Sequence, residues 1–147
     1  MMYEVLFVCT GNTCRSAMAK ALYQKRCEDE GIKFVGESAG IYVPYPDVAN
    51  KMAVKAMQIY NIDLSNHIAT QITKEDILNS KVILTMTDHH KQILINNISG
   101  ISEKVFTFYE YVFNEKKDVE DPYGKDFKEY IKIAEELKTL VNSMKLS

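Results

Sequence analysis

Short β-branched and aromatic runs alternate with stripes of helical period along this chain, and that alternation fixes the fold class before any single residue is considered. Residues 5–8 (Val-Leu-Phe-Val) are apolar on both faces and too short for a helix, which is how a strand buried in a parallel sheet reads. From Ser16 to about Glu30 the period becomes helical, with Met18, Ala21 and Leu22 on one face and Gly31 as the stop. Residues 34–38 read as a second strand closed by Ala39-Gly40, residues 82–86 as a third and 105–108 as a fourth. Between them, Asp47 is expected to cap a helix whose apolar positions are Val48, Met52, Ala53, Ala56, Met57 and Tyr60, with Met52, Met57 and Tyr60 read as core. Thr73 with Asp76 resembles a capping box opening a short helix before Lys81. A helix over about 88–97 follows the third strand. A last one over about 126–144 presents Phe127, Tyr130, Ile131, Ala134, Leu137, Val141 and Met144 on one face. Strand-helix alternation with short connections implies an α/β fold, a parallel sheet covered by helices on both sides. No repeat, low-complexity stretch or linker interrupts it, so residues 1–147 are expected to form one domain. The longest loops, 40–47 and 109–125, fall where such folds carry their chemistry.

Composition narrows the function classes. A net charge of −2 and a pI near 5.9 oppose a nucleic-acid or anionic-membrane role, because both need a basic face. The clean apolar run near the front, residues 5–9, is far short of the roughly twenty residues that span a bilayer, and nothing there reads as a signal peptide. Three cysteines, Cys9, Cys14 and Cys27, are an odd and low count that fits reduced thiols. The expectation is a cytoplasmic monomer that engages neither nucleic acid nor membrane. At 16.9 kDa the chain buries about 69% of its unfolded surface by area scaling, enough for a core without staples.

The first strand ends in the segment that carries most chemistry: Cys9-Thr10-Gly11-Asn12-Thr13-Cys14-Arg15-Ser16. Five residues between Cys9 and Arg15 can wrap into a cup of inward-pointing backbone N–H groups. The helix starting near Ser16 adds its positive end, which suits a dianionic phosphoryl group. Gly11 and Asn12 are types that tolerate the positive φ such a cup requires. Cys9 would lie at the bottom, where amides and the helix dipole favour the thiolate. Arg15 would close the rim and grip two phosphoryl oxygens, and Ser16 could donate its hydroxyl to the Cys9 sulfur when that sulfur leaves. A cysteine after a strand is commonly a small buried hydrophobe. Cys-x5-Arg-Ser, however, arises by chance in about one chain in a hundred of this length, and less often still between a strand and a helix. Phosphoryl transfer from a poor leaving group also needs a proton donor. Asp121, in Asp121-Pro122-Tyr123-Gly124, is the candidate, since Pro122 holds it extended and outside any helix cap.

The segment from Cys9 to Ser16, with Asp121-Pro122-Tyr123 late in the chain, resembles the low-molecular-weight protein tyrosine phosphatase family. The likeness spans nearly the whole chain, including Glu37-Ser38-Ala39-Gly40 and Ile72-Thr73-Lys74-Glu75-Asp76. It implies a three-layer α/β/α domain with a four-stranded parallel sheet and no cofactor or metal. The implied mechanism has two steps. Cys9 attacks phosphorus while Asp121 protonates the leaving group; Asp121 then activates the water that hydrolyses the phosphocysteine. The phosphate-binding residues would be Thr10, Gly11, Asn12, Thr13, Cys14 and Ser16, with Asn12 bracing the loop and His67 bracing backbone near it. Cys14 would be a redox partner able to protect Cys9 as a disulfide. A narrower resemblance, to the bacterial protein-arginine phosphatases of the family, rests on four stretches: the loop with Thr13, residues 84–93, residues 104–112 and residues 118–124. Thr13 stands where phosphotyrosine enzymes usually carry a larger aliphatic, and Tyr42 and Tyr123 would wall the entrance. Thr13, Tyr42 and Tyr123 are therefore the substrate-selecting candidates, with phosphorylated proteins as partners and phosphoarginine favoured.

Three departures stand out: Ala17 replaces a usual proline, Thr87 a common aspartate and Thr70 a frequent arginine. The last two weaken a phosphotyrosine assignment and leave the chemistry intact. A thioredoxin-coupled arsenate reductase would need a further cysteine pair around residues 80–90, where there is none. A phosphoprotein-binding module would be expected to lose Cys9 or Asp121. Cys27 reads as a packed helix residue. The adjacent His89 and His90 diverge by about 100° on a helix, a poor spacing for metal ligands with His67.

Overall fold

The computed structural model describes residues 2–146. β1 (Tyr3–Cys9) runs parallel to β2 (Gly36–Gly40) on one side and to β3 (Ser80–Thr85) on the other, and β4 (Val105–Thr107) joins β3 at the far edge. The order β2-β1-β3-β4 buries β1 between two neighbours, the position its unbroken apolar run demands. Alternate β1 residues enter two separate cores. Val5, Phe7 and Cys9 face α1 (Arg15–Glu30), α2 (Lys51–Gln58) and α6 (Phe127–Ser143), among Met18, Met57, Phe108, Tyr130 and Leu137. Leu6 and Val8 face the opposite layer, where Ile77 of α3 (Lys74–Leu78) and Leu94 of α4 (Asp88–Asn97) pack on Ile83 and Val105. The two-residue period of the strand thus places the Cys9 sulfur on the α1 side.

Several boundaries differ from the sequence expectation, each for a local reason. β2 starts at Gly36, not Phe34, and Ala39 and Gly40 belong to it, paired with Val8 and Cys9. A β-carbon at Gly36 would lie 2.8 Å from the Tyr23 ring, so the first residue of this strand passes close against α1. β3 runs over Ser80–Thr85 and leaves Met86 outside. The cap of α2 is Asn50, whose Oδ1 accepts the Met52 N–H at 2.8 Å. Asp47 instead closes a turn by accepting the Val48 N–H. α2 stops at Gln58, so Tyr60 lies beyond it and half-buried, while Met52 and Val48 are exposed; Ala53, Ala56 and Met57 are core, and of Met52, Met57 and Tyr60 only Met57 is.

The expected loop over 109–125 contains α5 (Phe108–Phe113), with Phe108 as its first residue rather than the end of β4. Thr107 Oγ1 accepts the Glu110 N–H, and Glu110 Oε1 accepts the Thr107 N–H, a complete capping box. Asn114, at φ 56°, ends the turn. α6 is capped by Asp126 and buries Ile133 and Leu140 with Tyr130, Ala134, Leu137 and Val141, whereas Ile131 is only half-buried. Among the described residues no helix is long and apolar enough to cross a membrane.

Candidate active site

The carboxyl end of β1 opens into a cavity of about 220 Å³ lined by residues 9–15, Asp121 and Tyr123. Its floor is set by Cys9, only 3% exposed, at the end of the central strand. One wall is set by the start of α1. The loop between them is held by its neighbours. Ile41 donates to the Cys9 carbonyl and Tyr42 to the Thr10 carbonyl, both at 3.0 Å, and Asn50 donates to the Thr13 carbonyl at 3.0 Å.

Asn12 is the hub of this arrangement. It is fully buried with φ 58°, the left-handed backbone that asparagine tolerates better than most side chains. The Thr70 backbone N–H can only donate, so the oxygen at 3.0 Å is Oδ1, and the Asn12 amide orientation follows. Nδ2 then donates to Ser16 Oγ at 2.7 Å and to Ser38 Oγ at 3.0 Å. Because Ser16 Oγ is already an acceptor, its own hydrogen is free for the Cys9 sulfur 2.8 Å away. The chain Asn12 to Ser16 to Cys9 therefore runs one way and ends in a donor aimed at the sulfur, with each bond strengthening the next. His67 Nε2–H donates to the Asn12 carbonyl at 2.7 Å, and burial holds its imidazole below the ordinary histidine range. Gly11, in contrast, has no positive φ, and a β-carbon there would meet only Thr13 Oγ1 at 4.0 Å. The expected need for left-handed backbone falls on Asn12 alone. The glycine that matters sterically is Gly40, whose missing β-carbon would lie 2.7 Å from the Thr10 carbonyl oxygen and 3.1 Å from the Asn12 nitrogen.

Arg15 is 5% exposed and donates through Nη1 to the Val119 carbonyl at 2.8 Å. Its other terminal nitrogen lies 3.7 Å from Asp121 Oδ2. Asp121 is about half-exposed, and its Oδ1 accepts the Tyr123 N–H at 3.0 Å, so the carboxylate is fixed by its own turn beside the arginine at the mouth. Tyr123 lines the cavity, 70% exposed. Tyr42 is also largely exposed but is not part of the lining, so the expected pair of entrance walls reduces to Tyr123. Thr13 lines the cavity, with Oγ1 3.8 Å from the Cys14 sulfur. Burial pushes the Cys14 thiol up, and its sulfur lies 3.8 Å from the Tyr130 hydroxyl. Cys9, Cys14 and Cys27 are all free thiols.

Sequence reasoning passed over four contributors: Ser38, Gly40, the Val119 carbonyl and His90. Ser38 was visible as a lone buried hydroxyl in a strand. His90 follows Thr87 at the spacing of a helix cap, which Thr87 Oγ1 confirms by accepting the His90 N–H at 3.2 Å. Thr70, expected only as a departure, supplies the backbone donor that orients Asn12.

Residues 4–146 match the model of the low molecular weight phosphotyrosine protein phosphatase family. A protein-arginine-phosphatase of Bacillus subtilis is 38% identical over 141 residues, covering 96% of this chain and 93% of that one. The YwlE arginine phosphatase, solved as a Cys-to-Ser mutant with a phosphorylated active-site serine, superposes with a TM-score of 0.91 at 37% identity, over 95% of this chain and 91% of that one. The low molecular weight protein tyrosine phosphatase from T. tengcongensis superposes at 0.92 with 38% identity, over 97% of both chains.

Proposed function

The chain belongs to the low molecular weight phosphotyrosine protein phosphatase family, and from that premise we propose that it removes phosphate from arginine side chains of proteins, with Cys9 as nucleophile, Arg15 as phosphate clamp and Asp121 as general acid and base. That it is a cysteine-dependent protein phosphatase follows from its relatives. The observation that carries the residue roles is the one-way hydrogen-bond chain ending on the Cys9 sulfur in the same small cavity as Arg15 and Asp121.

In the first step the Cys9 sulfur attacks phosphorus and the P–N bond breaks. Asp121 gives its proton to the departing guanidinium nitrogen, so that free arginine side chain leaves behind a phosphocysteine and an ionised Asp121. In the second, Asp121 takes a proton from water as the water oxygen attacks phosphorus. The S–P bond breaks, and the thiolate is received by the Ser16 hydroxyl. Residues 10–14 and the Arg15 guanidinium hold the phosphoryl oxygens throughout, stabilising charge that grows in the transition state. Thr13 supports the arginine preference because a small polar side chain leaves room beside phosphorus where an aliphatic one would pack a phenol ring. Asp121 can pair with a cationic guanidinium, and Tyr123 offers a face for it to stack on. Cys14 is the partner for an oxidised Cys9: its sulfur would attack a Cys9 sulfenic acid and expel water to close the disulfide, a step that burial slows by pushing the Cys14 thiol up. The enzyme is read as a cytoplasmic monomer that uses no cofactor.

The test is a side-by-side measurement of kcat/KM on phosphoarginine and phosphotyrosine peptides of one sequence. A higher value for phosphoarginine is expected, with a Thr13→Ile variant moving the ratio toward phosphotyrosine. The Thr70 and Thr87 departures favour that outcome, while the likeness to the T. tengcongensis tyrosine phosphatase favours the opposite one. Hydrolysis retained by Cys9→Ser would remove the nucleophile from the scheme.

A further inference from the structure

We propose that His90 is a positioning residue for the phosphate loop, acting through the side chain of Thr10 from the start of α4. The inference rests on the phosphatase reading of the loop. Thr10 directly follows Cys9 and lines two adjoining cavities, the one holding Cys9 and a second, of about 490 Å³, that includes Thr87, His89 and His90. Its carbonyl is held from the β2 side by the Tyr42 N–H at 3.0 Å and crowded by Gly40. Its hydroxyl is held from the opposite side by His90 Nε2 at 2.8 Å. The other ring nitrogen, Nδ1, lies 3.0 Å from Thr87 Oγ1, which caps α4. The imidazole is 4% exposed and spans two threonine hydroxyls, so the residue after the nucleophile is clamped between the end of β2 and the first turn of α4.

A neutral ring can make both bonds of the clamp. With one N–H and one bare nitrogen, His90 accepts from one threonine and donates to the other, and the pair of hydroxyls can follow either direction. An imidazolium would donate to both hydroxyl oxygens, which fixes the direction of each bond. The charged groups around the ring are Arg15 and His89, which oppose a proton, and Asp118 and Asp121, which favour one. Burial and Arg15 prevail and hold His90 down to about 4.

The experiment is a double-mutant cycle with Thr10→Val and His90→Leu, using kcat on p-nitrophenyl phosphate and on a phosphoarginine peptide. Each single variant is expected to lose about tenfold in kcat, the scale of one buried hydrogen bond, and the double variant no more than either alone. Thr10→Ser, which keeps the hydroxyl, is expected to restore native kcat. Losses that multiply, or a His90→Leu variant of native kcat, would overturn the proposal. If His90→Leu fails to fold, ¹⁵N spectra of the native imidazole decide: saturating inorganic phosphate shifts Nε2 in the native protein and not in Thr10→Val. An Nε2 signal indifferent to phosphate in the native protein would also overturn it. Cys9→Ser, measured alongside, keeps the two readings separate. Residual turnover there counts against the nucleophile assignment and leaves the coupling measured between Thr10 and His90 intact.

Discussion

Replacing Gly40 by alanine isolates the consequence of moving the phosphate loop without touching any group that carries chemistry. The added β-carbon would lie 2.6 Å from Val43 Cγ2, 2.7 Å from the Thr10 carbonyl oxygen and 3.1 Å from the Asn12 nitrogen. Val43 can rotate away. The other two atoms are backbone, and ordinary contact with the Thr10 oxygen requires a retreat of about 0.7 Å. That displacement falls on the residue next to Cys9 and on the carbonyl that accepts the Tyr42 N–H. Shifts approaching 1 Å beside a reacting centre cost up to about a hundredfold, so kcat is expected to fall about 10- to 100-fold, with a stability loss of about 1–3 kcal/mol from overpacking. Gly36→Ala is the matched control. Its β-carbon meets only side chains, the Tyr23 ring at 2.8 Å and Val5 at 3.4 Å, on the same strand but away from the loop. It is expected to lose comparable stability in urea while keeping kcat within about twofold. Native kcat in a folded Gly40→Ala, or an equal loss in both variants, would refute the reasoning.

Asn12→Ala is expected to lower stability by about 3–4 kcal/mol, since it removes three buried side-chain hydrogen bonds worth about 1 kcal/mol each and leaves alanine in left-handed backbone; urea unfolding measures it. Asp121→Ala should slow phosphoarginine hydrolysis about 10²–10⁴-fold and slow substrates with good leaving groups much less. A loss independent of leaving-group basicity would contradict the general-acid role. His90 is held near 4 in the fold against an ordinary 6.5, so the unfolded chain binds more protons between those values. Stability from this group is therefore complete above about pH 6.5 and is lost as pH falls toward 4, at up to about 1.4 kcal/mol per pH unit. Urea titrations at pH 5 and 7 should show a shallower dependence in His90→Gln than in the native protein.

The layers of the fold were legible because they depend on local period: the β1 run, the α1 stripe ended by Gly31 and the Thr73–Asp76 box all formed where expected. So was the loop as a whole, since strand, loop and helix are contiguous. The shortfalls have separate causes. Asp47 and Asn50 are both competent caps, and which one opens α2 is decided by the Ala69 N–H taking the Asp47 carbonyl. α5 was announced by Thr107 and Glu110 at capping-box spacing, a signal overlooked because the helix is only six residues long. The network around Asn12 was not readable in any segment. Ser38, His67 and Thr70 reach it from elements distant in sequence, and only the sheet order brings them together. Tyr42 meets the loop through its backbone N–H, a contact with the Thr10 carbonyl that no side-chain reading could show.

The stitching of that loop from dispersed parts also governs when reactivity arises. Cys9 precedes Ser38 and Thr70, which hold Asn12, by tens of residues along the chain, and Asp121 follows later still. Until those segments dock, the sulfur is an ordinary thiol with no oriented hydroxyl beside it. Reactivity at the sulfur is therefore tied to long-range docking: only a chain in which the Ser38 and Thr70 segments have reached Asn12 carries the oriented hydroxyl.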